Sequence, residues 1–163
     1  MNWDQVEIQK ETAGNHRIAQ AELILKLYEL RRETVMREAR SYVGGEFMPR
    51  SADELVDIVS AGGRHTGFVL QVYGYWDMVA AFVSHGALEA GLVYDTCQEM
   101  YFQYAKIQPY LAEFREKMNL PEFLISIERF VEGSEAGRRR VQTMRTNLSV
   151  MTEVRGHSKP PEG

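Results

Sequence analysis

A helical repeat of apolar residues between positions 92 and 118 constrains the fold more than any other feature of the sequence. Its members, spaced by seven in two interleaved rows, are Val93, Met100, Ile107 and Phe114, and Cys97, Tyr104, Leu111 and Met118. This spacing puts both rows on one face of an α-helix. Pro109 lies within the repeat and removes one backbone hydrogen bond, so we expect a kink or break near that residue.

The same periodicity recurs along the chain. A long helix is predicted from about residue 16 to 42. Its predicted buried face carries Ile18, Ala21, Leu25 and Tyr28. A helix predicted over about 66–84 is apolar on most sides, which is typical of the centre of a bundle. Asn119 with Glu122 resembles the capping box at the start of a later helix. Because no segment alternates with the period of a strand, we predict an all-α fold, a single-domain bundle of about five to seven helices with one kinked near Pro109.

The length of 163 residues suits one domain, which we predict over residues 1–155, followed by a disordered tail over 156–163. Hydrophobic residues make up 44% and charged residues 26%, a balance typical of soluble globular chains. No apolar run approaches the roughly 20 residues of a membrane span, so no membrane partner is expected. The single Cys97 and the polar, leaderless start predict a cytoplasmic protein.

The charge balance gives little support to nucleic-acid binding. The net charge is −4, which excludes a global attraction to polyanions. Arg138, Arg139 and Arg140, with Arg145, form a basic cluster, but three adjacent residues spread around a helix instead of sharing one face. We expect solvated surface or pairing within the chain, with nucleic-acid regulation as a weaker alternative.

Two long stretches carry a family resemblance. They are VLQVYGYWDMVAAFVSHGAL from Val69 and EAGLVYDTCQEMYFQYAKIQPYLAEFRE from Glu89, preceded by LYELRRE from Leu27. In these stretches the chain resembles an uncharacterised bacterial family, domain of unknown function 4760. The resemblance implies a helical fold and supplies no activity, cofactor or mechanism.

The usual catalytic and metal-binding patterns are missing from the sequence. None of the four histidines has a carboxylate three residues before it, and one cysteine cannot build a thiolate metal site. Asp95 and Glu99 lie one turn apart and could act as an acid–base pair, but their position opposite the apolar repeat favours a solvated face. We therefore name no catalytic residue, no metal and no cofactor, and we favour a protein that is not an enzyme, a choice that these patterns leave open.

A glycine-rich connection precedes the helix predicted over 66–84. Its candidate anion-binding residues are Gly63, Arg64, His65 and Thr66. Backbone N–H groups at such a helix start can hold an anion. The segment matches no phosphate-binding motif, so the alternative is a flexible loop with Arg64 in solvent.

Aromatic residues are concentrated between Tyr73 and Tyr110, where six of the eight tyrosines lie. The candidate ligand or interface residues are Tyr73, Trp76, Asp77, Tyr101 and Tyr104. Tyrosine combines an apolar ring with a polar end, which suits interfaces and pockets for amphipathic ligands. Our first hypothesis is a non-enzymatic interaction protein that is a homo-oligomer or binds another protein. The alternative is a small-molecule binding domain or atypical enzyme that uses this cluster.

Overall fold

A computed structural model describes residues 3–157, without the side chains of residues 3, 4, 6–8, 11 and 152–157. These residues form helices without a strand, which confirms the all-α prediction. In chain order they are α1 (Trp3–Leu30), α2 (Thr34–Gly45), α3 (Ala52–Ser60), α4 (Gly63–Ser84), α5 (Ala90–Thr96), α6 (Gln98–Ile107), α7 (Leu111–Met118), α8 (Ile125–Glu132) and α9 (Glu135–His157). The predicted five to seven helices was too low, because breaks divide two segments that the sequence pattern presents as continuous.

One of those breaks divides the predicted helix over 16–42. The chain turns after Leu30, where the Arg32 amide donates to the Glu29 carbonyl at 2.9 Å, and α2 starts at Thr34. The predicted buried face of α1 was also wrong. Gln20, Ile24 and Leu27 are the residues packed against the core, whereas Ile18 and Leu25 are 60% and 64% exposed.

The apolar repeat between 92 and 118 is spread over three short helices. The chain leaves helical geometry at Cys97, and it turns again between α6 and α7, where the Tyr110 amide donates to the Ile107 carbonyl at 2.9 Å. The second break lies at Pro109, as predicted. Seven of the eight repeat residues are buried in spite of the breaks, and Met118 is half-buried. The pattern identified the buried residues correctly but did not indicate how often the backbone turns.

The apolar helix predicted over 66–84 is the centre of the molecule, as α4. It begins three residues earlier than predicted and packs against α2, α3 and α8. Val72, Val79 and Trp76 are at most 1% exposed. Among the described residues, no helix is long and apolar enough to cross a membrane.

The start of α8 differs from the predicted capping box at Asn119 and Glu122. Asn119 instead ends α7 in the left-handed conformation with φ 53°, and α8 begins only at Ile125. Asparagine tolerates this conformation at a helix end better than most residues.

Helix α9 starts so close to the end of α8 that one of its first residues must be a glycine. A Cβ at Gly137 would lie 2.1 Å from the Val131 carbonyl oxygen. α9 then packs on α6 and α8 and continues through His157, so the first two positions of the predicted tail are helical. Residues 158–163, the remainder of that tail, lie outside the described residues.

Candidate functional site

Three of the five predicted ligand residues make internal hydrogen bonds. The Tyr73 hydroxyl donates to the Gln103 carbonyl at 2.8 Å, and the Tyr104 hydroxyl donates to Glu132 Oε1 at 3.2 Å. Asp77 Oδ1 accepts a bond of 2.9 Å from the Ile127 amide. Burial raises the pKa of Tyr73 and of Tyr104 well above the ordinary phenol value, so both phenols stay neutral. These side chains link α4, α6 and α8 inside the core.

The described ring contacts do not join the five predicted residues in one cluster. Trp76 packs edge-on against Tyr75, Tyr73 against Phe47, and Tyr101 against Tyr94, with no ring pair inside the predicted set over the described range. The prediction grouped these residues because they lie close together along the chain. Their contacts instead lead to different partners, such as Phe47 for Tyr73 and Tyr94 for Tyr101.

Tyr101 is the member of the set that lines a cavity of about 520 Å³. The cavity lies between α4, α5, α6, α8 and the start of α9. Small residues from α4, α5, α8, α9 and the α8–α9 connection create its space: Ala80, Ala90, Gly91, Ser126, Gly133 and Ala136. One wall is aromatic and consists of Tyr94, Tyr101 and Phe130. This volume is within the range of small-molecule pockets.

Arg140 supports the aromatic wall from outside. Its guanidinium lies 3.3 Å from the ring centroid of Tyr94 and 4.9 Å from that of Tyr101, and it donates to the Tyr94 carbonyl. Arg138 in turn donates to the Glu132 carbonyl, whereas Arg139 is exposed. Two members of the basic cluster therefore bind carbonyl groups of their own chain.

Tyr101 brings a polar group into an apolar setting. The residue is only 1% exposed, and its hydroxyl takes part in no hydrogen bond within the described part of the chain. Burial, the largest effect, raises its pKa to about 12 although the charge of Arg140 lowers it. The phenol is thus a neutral group whose hydroxyl can donate one hydrogen bond.

The predicted anion loop is engaged in contacts within the chain. Gly63 is the first residue of α4, with φ 78°, and Arg64 forms an ion pair with Glu38. The His65 ring stacks on Tyr42 at 4.2 Å between centroids, and Thr66 Oγ1 donates to the Ile58 carbonyl at 2.7 Å. The alternative interpretation, a flexible loop, placed Arg64 in solvent and did not foresee this ion pair with Glu38. An anion at this helix start remains a prediction.

A partly buried charge cluster was missed by the sequence analysis. Glu99 was placed on a solvated face with Asp95, and Asp95 is indeed exposed. The Glu99 side chain, however, is 18% exposed and accepts hydrogen bonds from both Arg31 and Arg40. The three residues come from separate helices or turns, so no spacing along the chain could indicate the cluster.

A second cavity of about 470 Å³ lies between the segment after α2, the end of α6 and α9. Arg50, Lys106 and Arg145 border it. Lys106 is 5% exposed and donates to the Val43 carbonyl at the end of α2, where a cation interacts favourably with the helix dipole. Arg145 donates to Gln108 Oε1 at 3.2 Å.

Within residues 3–157, the side chains described offer no group of three histidine, cysteine or acidic residues that could hold a metal ion. Cys97 is 4% exposed, and burial raises the pKa of its thiol, which disfavours the reactive thiolate.

Comparison with known proteins places this fold in a family. No curated protein and no solved structure matches the chain. A family model described as a domain of unknown function, DUF4760, matches residues 17–134. That segment contains α2 to α8 entirely and every residue of the cavity beside Tyr101 except Ala136. Since the match covers well over half of its length, the chain belongs to the DUF4760 family.

Proposed function

We propose that this protein is a non-enzymatic binding protein for a small, largely apolar molecule, which occupies the cavity beside Tyr101. The observation that carries the proposal is a cavity of about 520 Å³ lined by Tyr101, a residue that is only 1% exposed and whose hydroxyl makes no hydrogen bond in the described part of the chain. Pockets of this size with mostly apolar walls and a few polar groups are characteristic of small-molecule sites. The internal bonds of Tyr73, Asp77 and Tyr104 support a structural role for those residues instead.

A neutral fluorescent probe tests this proposal. We expect N-phenyl-naphthylamine to bind one site per chain with increased fluorescence, because its rings fit an apolar, aromatic-walled cavity. Ala136→Phe should abolish the increase by filling the cavity from α9. Ala112→Phe is the matched control, since Ala112 is exposed on α7 and does not line the cavity. Absence of saturable binding, or equal loss in both variants, would contradict the proposal.

A second candidate is self-association through α1, which is our first sequence hypothesis in a specific form. Ile18, Ala21, Leu25 and Tyr28 have the spacing of a coiled-coil seam and are exposed. We propose a second copy of the chain as the occupant of this seam. In a parallel pair, Arg17 of one copy would face Glu22 of the other, which supports this arrangement by charge.

Light scattering coupled to size exclusion tests self-association over a wide concentration range. A dimer that Leu25→Glu dissociates and Leu30→Glu leaves intact would support the seam, because Leu30 is 43% exposed on the same helix but outside it. A monomer at every concentration would overturn this candidate. We also propose a cytoplasmic location, because a chain with a single cysteine cannot form an intrachain disulfide, as expected in a reducing compartment.

A further inference from the structure

The lining of the cavity beside Tyr101 carries one positive charge and no negative one. Arg129 lines the cavity from α8, and none of the lining residues is acidic. In the described part of the chain, Arg129 has no ion pair and no side-chain hydrogen bond. The arginine is exposed at the rim, so its guanidinium is available to a ligand that reaches into the cavity.

Three carboxylates of α4 and α8 are directed to other partners. Glu128 forms an ion pair with Arg115, with Nη1 and Oε2 2.8 Å apart. Glu132 accepts hydrogen bonds from Tyr104 and Gln108. Asp77 accepts the amide of Ile127. These three carboxylates therefore compete little for Arg129. Glu89 and Glu135 are exposed and adjoin lining residues along the chain, and neither is paired with Arg129 in the described part of the structure.

Further donors face the same cavity. Ser126 precedes Arg129 by three residues on α8, so the two side chains lie on one side of the helix, and both line the cavity. Tyr101, whose hydroxyl is neutral, also lines the cavity, and its ring centroid lies 6.2 Å from that of Phe130. An apolar interior with cationic and hydroxyl donors suits a molecule with an apolar body and an anionic end.

We propose that the ligand of this cavity is a small carboxylate with an apolar body, held at its anionic end by Arg129 and along its body by Tyr101 and Phe130. This inference rests on the proposed binding function. Arg129 is the residue that selects the charged form of the ligand, because a guanidinium binds a carboxylate through charge-assisted hydrogen bonds.

Calorimetric titration with paired ligands tests this specificity. The aromatic pair is naphthylacetate and naphthylacetamide, and the aliphatic pair is decanoate and decanol. We expect the carboxylate of at least one pair to bind roughly fivefold to tenfold more tightly than its neutral partner. The pair that shows the preference identifies whether the apolar body is aromatic or aliphatic.

Charge-matched variants locate the effect. Arg129→Gln should remove the preference for the carboxylate while leaving the affinity for the neutral partner unchanged. Arg139→Gln removes the same charge from an exposed position on α9 outside the cavity and should change neither affinity. Arg145→Gln changes the second cavity and should likewise have no effect on the preference.

The outcomes separate this inference from the function on which it rests. Equal binding of carboxylate and neutral ligand, with N-phenyl-naphthylamine still bound, would overturn the carboxylate assignment alone. Loss of preference in Arg139→Gln or Arg145→Gln to the extent seen in Arg129→Gln would also overturn it. Failure of every ligand and of the neutral probe would overturn the binding function itself.

Discussion

Glu99 lies between the guanidinium groups of Arg31, just after α1, and Arg40 in α2. The side chains of the two arginines are 13% and 29% exposed, and that of Glu99 is 18% exposed. Arg40 Nε donates to Glu99 Oε1 at 3.0 Å, and the Arg31 guanidinium lies 5.1 Å from the Trp76 ring centroid. A carboxylate removed from water needs such partners, so this residue joins α1, α2 and α6 by charge.

Replacing Glu99 tests the importance of this junction. Glu99→Gln should lower the free energy of unfolding by about 2–3 kcal/mol, because two partly buried arginines would lose their counter-charge. Urea denaturation measures the change. Glu38→Gln is the control, because its ion pair with Arg64 is largely exposed and should contribute less than about 1 kcal/mol. Equal losses in the two variants would show that burial does not strengthen the Glu99 contacts.

The same carboxylate makes stability depend on pH. Burial would raise the pKa of Glu99, but the hydrogen bond from Arg40 and the charges of Arg31 and Arg40 outweigh it and hold the pKa below its ordinary value. A carboxylate whose pKa is lowered by folding contributes its full stabilisation above its pKa in the unfolded state, roughly 4.3. That stabilisation is lost as the pH falls through its pKa in the folded state. The stability difference between wild type and Glu99→Gln should therefore be constant near neutral pH and shrink in acid. Urea denaturation at several pH values measures it, and a difference independent of pH would contradict the assignment.

At the scale of elements, α8 depends on another helix for its N-terminal cap. Leu124 occupies the N-cap position with φ 55° and has no side-chain acceptor for the free amides of the first turn. Asp77 of α4 supplies that acceptor to the Ile127 amide at 2.9 Å. The sequence suggested a local capping box at Asn119, because capping rules consider neighbours along the chain only.

Removing this acceptor should destabilise α8. Asp77→Ala is expected to lower the free energy of unfolding by about 1–2 kcal/mol, and Asp77→Asn by less, because asparagine retains an oxygen acceptor. Asp57→Ala in α3 provides the comparison, since Asp57 is exposed and has no described side-chain hydrogen bond. Thermal unfolding followed by circular dichroism measures all three. If the alanine variants are equally stable, the cap contributes nothing.

Two adjacent arginines of α9 should differ in their contribution to stability. Arg140→Gln is expected to cost about 1–2 kcal/mol, because Arg140 stacks on Tyr94 and binds its carbonyl. Arg139→Gln should cost less than about 0.5 kcal/mol, since Arg139 is exposed. Urea denaturation of the pair measures the difference. A similar cost for both would mean that Arg140 does not hold α9 to α5.

At the scale of the whole molecule, α9 belongs to the same core as the family segment, although the family match ends at residue 134. Val141 and Leu148 are 2% and 8% exposed and join one apolar cluster with Ile24 of α1 and Trp76 of α4. Ala136 also completes the wall of the cavity. This shared core is consistent with the prediction of a single domain.

A shared core predicts one cooperative unfolding transition. In a Trp3→Phe background, fluorescence reports on Trp76 alone among the two tryptophans, and circular dichroism reports on all helices. We expect the two signals to give the same midpoint in urea, because α9 cannot separate without exposing Val141 and Leu148. Two separate transitions would show instead that α9 unfolds independently of the family segment.

Periodicity and backbone chemistry within a few turns were enough to predict the helical class, the break at Pro109 and the buried repeat from Val93 to Phe114. They also indicated an apolar helix at the centre of the bundle. Three further features follow only from the folded arrangement: the buried face of α1, the contacts of Glu99 with Arg31 and Arg40, and the place of Tyr101, alone of the predicted set, in the lining of the cavity beside Phe130. These outcomes depend on the directions in which helices cross, and contacts across 30 to 70 residues leave no periodic signal in a single sequence.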